Sequence, residues 1–259
     1  MSGSITLENR FGVNKMELIS LKYAIFVIVL LVLYYCFPKK YRWYVLLAGS
    51  MAYYVIICKW YVLFIIFTIC TTYGSTIWID KLLKKQNAIV KSHKEDWDRQ
   101  TRKEYKEKGR KKRVAVMLFA LLCNFGILAF LKYIPYAGEL GLLLPLGISF
   151  YTFQSMGYVM DVHREIVEPE KNFLKVALFV SFFPQIIQGP IAIYDKLAGQ
   201  LYEGHSLRLE NLQKGALLVL WGVMKKLVIA DRAVNIISFV MDKPMDFSGT
   251  YVFLSLIHI

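Results

Sequence analysis

Residues 144–164 read LPLGISFYTFQSMGYVMDVHR. The stretch is mostly apolar, yet Ser149, Thr152, Ser155 and Tyr158 recur at every third position. On a helix that spacing sets four hydroxyls in one stripe along one face. Gln154 adds an amide nearby, and Asp161 and Arg164 end the run in charge. A helix in lipid has no reason to carry such a stripe unless it faces other helices or a polar cavity. Two readings follow. The hydroxyls bond back to their own helix and pack on a neighbour, or they line a polar passage.

The rest of the chain places this stretch in a membrane. Of the 259 residues, 56% are hydrophobic and 15% aromatic, and mean hydropathy is positive. A soluble domain holds about 45–50% apolar residues, and here they come in long blocks. The formal net charge of +13 invites a nucleic-acid reading. Its placement argues otherwise: residues 81–113 carry 14 Lys or Arg against 5 Asp or Glu. A basic loop beside apolar spans marks the cytoplasmic side, and no nucleic-acid recognition motif accompanies it. Cys36, Cys58, Cys70 and Cys123 lie in or beside apolar blocks without a C-x-x-C pair, so they read as small hydrophobes. His93, His163, His205 and His258 form no metal-binding pattern.

The expected architecture is an all-α, polytopic transmembrane helix bundle with a re-entrant or broken segment. A polar tail, 1–17, precedes spans at about 18–37, 44–58, 61–79, 114–134 and 140–160. The basic segment 81–113 reads as a solvated helix or a flexible loop. Positive-inside counting puts the N-terminus and the turn at 136–139 outside, with PKKYRW (38–43) and 81–113 inside. The block 173–194, FLKVALFVSFFPQIIQGPIAIY, holds Pro184, Gln185, Gln188, Gly189 and Pro190 within seven residues. Such broken backbone is tolerated at membrane depth only inside protein or beside water. A re-entrant segment is the preferred reading, and a Pro-kinked span is the alternative. Residues 215–241 read as interfacial helices with Lys225 and Lys226 at the cytoplasmic boundary. Residues 250–259 open another apolar block too short to cross, so the chain reads as the N-terminal part of a longer protein.

There is no P-loop, G-x-S-x-G or Rossmann fingerprint. From residues alone the candidates are a transporter, a channel or a membrane-embedded transferase.

Three stretches carry a resemblance. LPLGISFYTFQSMGYVMDVHR, LFVSFFPQIIQGPI and MKKLVIAD are similar to successive motifs of the membrane-bound O-acyltransferases, in the alginate O-acetyltransferase and D-alanyl–lipoteichoic acid transferase branch. PKKYRW after the first span fits the same branch, and His163 stands where the family more often has Tyr. The resemblance covers residues 18 to 249. It implies a multi-pass enzyme of the bacterial inner (plasma) membrane that moves an acyl group, acetyl in this branch, from a cytoplasmic thioester to a hydroxyl of an extracytoplasmic polysaccharide. The donor would be acyl carrier protein phosphopantetheine or acetyl-CoA, and a partner acyltransferase is one route to the acceptor. No bound cofactor or metal is implied.

A family histidine in a Trp-His motif activates the acceptor hydroxyl. No Trp-His pair occurs here, and His258 lacks the motif. No catalytic residue is therefore assigned, and the chain alone is expected to be inactive. Ser149, Thr152, Ser155, Gln185 and Gln188 are the candidates to line the donor tunnel. Lys225 and Lys226 would meet an acidic donor phosphate at its mouth or simply snorkel. The competing reading is a non-enzymatic polytopic transporter or polysaccharide-export component.

Overall fold

A computed structural model describes residues 21–93, 96–133, 145–187, 190–242, 248–250 and 253. The polar tail, the turn at 136–139, Gln188, Gly189 and His258 lie outside the described residues, as does most of the block from 250. The chain divides into two compact units, Met1–His205 and Ser206–Ile259. The expectation of an all-helical membrane bundle holds: the described residues are 85% helical and contain no strand.

In the first unit the helices are α1 (Leu21–Cys36), α2 (Arg42–Cys58), α3 (Val62–Ser92), α4 (Arg99–Tyr133), α5 (Ile148–His163), α6 (Phe173–Ser181), α7 (Phe183–Ile187) and α8 (Tyr194–Tyr202). Two helical stretches, Lys39–Ser92 and Arg99–Tyr133, are long and apolar enough to cross a membrane. Ile28, Val32, Leu63, Phe119 and Leu122 remain exposed, the surface expected of helices solvated by lipid. A turn at Lys59–Tyr61 separates α2 from α3, with Lys59 at φ 49°.

At about 1.5 Å per residue, α3 and α4 are roughly 46 and 52 Å long, well beyond the ~30 Å of hydrocarbon. The surplus is the basic segment, which continues both helices instead of forming a loop. Side chains staple the two arms. Trp97 stacks on His93 at 4.9 Å and meets Tyr105 at 5.1 Å. Gln86 Nε2 donates to the Lys106 carbonyl at 3.1 Å, and Arg113 donates to Gln86 Oε1. Gly109 permits this approach, because a Cβ there would sit 2.4 Å from Gln86 Oε1.

The polar-striped helix α5 occupies the centre, packed by α3, α4, α6 and α7. Nine of its 16 residues are buried. Gly147 starts it at φ 70°, and a Cβ at that position would lie 2.3 Å from both Ile186 Cγ2 and the Ile186 carbonyl. Glycine is thus required twice, by the backbone conformation and by contact with α7. Asn172 caps α6, its side chain accepting from Leu174 N at 3.0 Å. Phe182, extended at ψ 105°, then breaks the chain between α6 and α7. Phe183 precedes Pro184, a position that disfavours continued helix.

In the second unit, α9 (Leu209–Met224) runs through a π-helical segment, Lys225–Ala230, into α10 (Asp231–Asp242). Lys226 pairs with Asp231 at 3.1 Å. Residues five apart align in a π-helix, so the ion pair suits the wider turn.

Candidate functional site

The break between α6 and α7 opens backbone that the bundle satisfies from two sides. Gln154 Nε2 on α5 donates to the Phe179 carbonyl at 2.8 Å. Phe183 N donates to Ser50 Oγ on α2 at 3.4 Å. Three helices distant in sequence therefore meet at one buried point.

Around it lies a set of buried polar atoms with no hydrogen-bond partner among the described residues: the hydroxyls of Tyr53, Tyr54, Tyr151 and Ser181, and Gln185 Oε1. Tyr53 packs against Phe183 at 5.4 Å. Tyr54 and Tyr151 meet edge to face at 6.3 Å, and Cys58 is close enough to act electrostatically on both. The Tyr54 hydroxyl lies within reach of both the Tyr151 hydroxyl and the Cys58 thiol. A hydroxyl buried with no partner costs about 1–3 kcal/mol, so several together mark a place suited to water or a polar ligand.

The sequence candidates distribute unevenly over this geometry. Thr152 and Ser155 are buried in the centre, Ser155 donating back to the Tyr151 carbonyl. Ser149 is half-buried near the start of α5. Tyr158, last of the stripe, accepts from Glu170 N at 2.8 Å and stacks on Tyr194 at 4.2 Å, which ties the connection after α5 to its end. Gln185 is half-buried on α7, which packs on the first turn of α5 through Ile186 and Gly147. Lys225 and Lys226 belong to the second unit, where Lys225 lies over the Trp221 ring at 5.3 Å and both are exposed. Ser50, Tyr53, Tyr54, Tyr151 and Ser181 were not among the sequence candidates. A Tyr pair in an otherwise apolar span, SMAYYVIIC (50–58), was the available signal.

A separate cluster sits at the far end of α5. Arg113, 7% exposed, pairs with Glu165 at 3.5 Å besides Gln86. His163 Nδ1 is buried beside them without a partner among the described residues. Burial holds the imidazole below its usual pKa, Arg113 adds to this, and Glu165 partly offsets it.

Comparison with known proteins agrees with the motifs. A peptidoglycan O-acetyltransferase of Helicobacter pylori is 30% identical over 170 residues, 51% of this chain and 32% of the relative. A probable alginate O-acetylase, AlgI, of Pseudomonas syringae pv. tomato is 39% identical over 89 residues, 34% of this chain and 17% of the relative. Its counterpart in Pseudomonas aeruginosa is 37% identical over 90 residues, 35% of this chain and 17% of the relative. The chain thus matches a third or less of the length of these curated relatives. No protein-family model matches it, and no solved structure does. The resemblance to the alginate O-acetylase branch of the membrane-bound O-acyltransferases is borne out, and the chain is a membrane protein homologous to O-acetyltransferases.

Proposed function

We propose that this chain is the donor-side helix bundle of an O-acyltransferase acting across the cell membrane. An acyl group, acetyl in this reading, leaves a cytoplasmic thioester, either acyl carrier protein phosphopantetheine or acetyl-CoA, for a hydroxyl of an extracytoplasmic polysaccharide. The acceptor oxygen attacks the thioester carbonyl, the carbon–sulfur bond breaks, the thiol departs and a base takes the hydroxyl proton. The chain contributes the route to that point. Ser149, Thr152, Ser155, Gln185 and Gln188 line it, and Lys225 and Lys226 meet the donor's phosphate. The base is a histidine that no Trp-His pair of these 259 residues supplies, so the chain by itself transfers nothing. It is multi-pass in the inner membrane, with the N-terminus outside.

The observation that supports this reading is the broken helix itself, beside which the Tyr53 and Ser181 hydroxyls and Gln185 Oε1 are buried with no partner among the described residues. Buried polar atoms are ordinarily paired, so these are free to meet water or a polar ligand.

The test is gene deletion in the source cell, with base-released acetate from purified envelope polysaccharide as readout. Loss of acetate, restored by the intact gene, supports the proposal. Unchanged acetate in every polysaccharide fraction overturns it. Membranes holding only these 259 residues should release no thiol from acetyl-CoA or an acetylated acyl carrier. Turnover abolished by His258→Ala would show that His258 is the base after all.

A further inference from the structure

A cleft of about 410 Å³ opens in the first unit between α1, α2, the α6–α7 break and α8. Val27, Leu31, Phe182, Leu197 and Leu201 make its walls apolar. Tyr34, Tyr35, Gln200 and His205 give it one polar end. None of the unpartnered polar atoms at the break lines it.

That polar end is held by a cation. Arg42 lies over the rings of Tyr34 and Tyr35 at 5.3 and 5.1 Å. Its Nε donates to the Phe37 carbonyl at 2.9 Å, and its two terminal nitrogens donate to the His205 carbonyl and, at 3.5 Å, to the Tyr35 carbonyl. Lys39 is adjacent: the chain at Gly204 passes so close that a Cβ there would sit 2.4 Å from the Lys39 carbonyl. Lys40 follows, exposed above the Tyr41 ring at 5.9 Å. Among the described residues no carboxylate pairs with Lys39, Lys40 or Arg42. Three cations without a carboxylate partner therefore follow α1 in sequence, and Arg42 reaches Tyr34, Tyr35 and His205 at the polar end of the cleft.

The depth fits one leaflet. From Val27 to Tyr35 the cleft follows α1 for about 12 Å at 1.5 Å per residue, close to half of the ~30 Å hydrocarbon core. We infer that this cleft binds one anionic phospholipid, with an acyl chain between α1 and α8 and the phosphate at Lys39, Lys40 and Arg42. Basic residues at a membrane interface attract anionic headgroups, and an apolar cleft open to lipid takes a chain more readily than water. The lipid would fasten α8 to α1, independently of any transfer activity.

The test uses the full chain in phosphatidylcholine nanodiscs. It is titrated with nitroxide-labelled phosphatidylglycerol and, separately, with nitroxide-labelled phosphatidylcholine, and the motionally restricted signal is read by electron paramagnetic resonance. One restricted phosphatidylglycerol per chain, held in preference to phosphatidylcholine, is expected. Lys39→Gln with Lys40→Gln should lower that preference by about fivefold per lysine, and Lys→Arg at both sites should keep it. Leu31→Trp, at a position 40% exposed, should expel both lipids while helix content stays constant. Equal retention of the two lipids, or a preference untouched by the lysine changes, overturns the proposal. Displacement of the label by inorganic phosphate would assign the cations to a free anion. Displacement by acetyl-CoA would assign the cleft to the thioester donor. Either result overturns the lipid assignment.

Discussion

Phe179 and Phe183 stand four residues apart, the spacing of a helical hydrogen bond, and each bonds to a side chain of a different helix. The Phe179 carbonyl accepts from Gln154 at 2.8 Å, and the Phe183 N–H donates to Ser50 at 3.4 Å. Phe182, extended between them, parts donor from acceptor, and in an apolar interior neither can be left alone. Gln154 and Ser50 are therefore what makes a broken helix tolerable inside this bundle.

Gln154→Leu should lower stability by about 1–3 kcal/mol, because it strands a buried carbonyl. Ser50→Ala should cost less, since its bond is longer. Thermal unfolding in detergent measures both, and a Gln154→Leu protein as stable as the parent would show that Phe179 finds another donor.

Gly147→Ala should be more damaging than a surface Gly→Ala change. It forces a side chain into the left-handed region at φ 70° and drives a Cβ into Ile186. A loss of about 2 kcal/mol or more is expected from the two effects together. Adding Ile186→Ala should relieve only part of it, because the Ile186 carbonyl also stands 2.3 Å away. Full recovery in the double variant would mean that the backbone conformation costs little.

Stability should fall as pH falls below about 6.5. His163 has a lowered pKa in the fold, so the unfolded chain binds the proton more readily and acid favours unfolding. The groups facing it are Arg113, Arg110 and Arg164, opposed by Glu165. His163→Gln should flatten the Tm profile between the ordinary imidazole pKa and the lower folded one. A profile with the parental slope would place the sensitivity elsewhere.

Residues 81–113 should face the cytoplasm. Ser92 is exposed at the end of α3, so Ser92→Cys in a background lacking accessible cysteines reports the side directly. Modification in intact cells by an impermeant maleimide would reverse the topology.

Gln185→Leu should weaken acetyl-CoA binding to the purified chain several-fold with a change in stability under about 1 kcal/mol, since its carbonyl oxygen has no partner to lose among the described residues. A large fall in Tm with binding intact would make Gln185 a packing residue.

The sequence by itself determined the helical class, the hydroxyl stripe from Ser149 to Tyr158 and the break beside Pro184, because these depend on local period and on proline's missing donor. It also carried the family resemblance, in contiguous motifs. Only the tertiary structure decided which polar groups meet. Gln154, 25 residues from Phe179, makes the bond at the break, and Ser50 reaches across 133 residues to Phe183. Tyr53 and Tyr54 are indistinguishable in sequence from interfacial anchors, yet neighbouring helices bury both, and the Tyr53 hydroxyl has no partner among the described residues. The basic segment could be read as helix or loop from its charges. Contacts from Gln86 to Arg113 and Lys106 made it two helical arms. Periodicity reports a helix's own faces. What those faces touch is set by packing between elements far apart in the chain, and no single stretch encodes it.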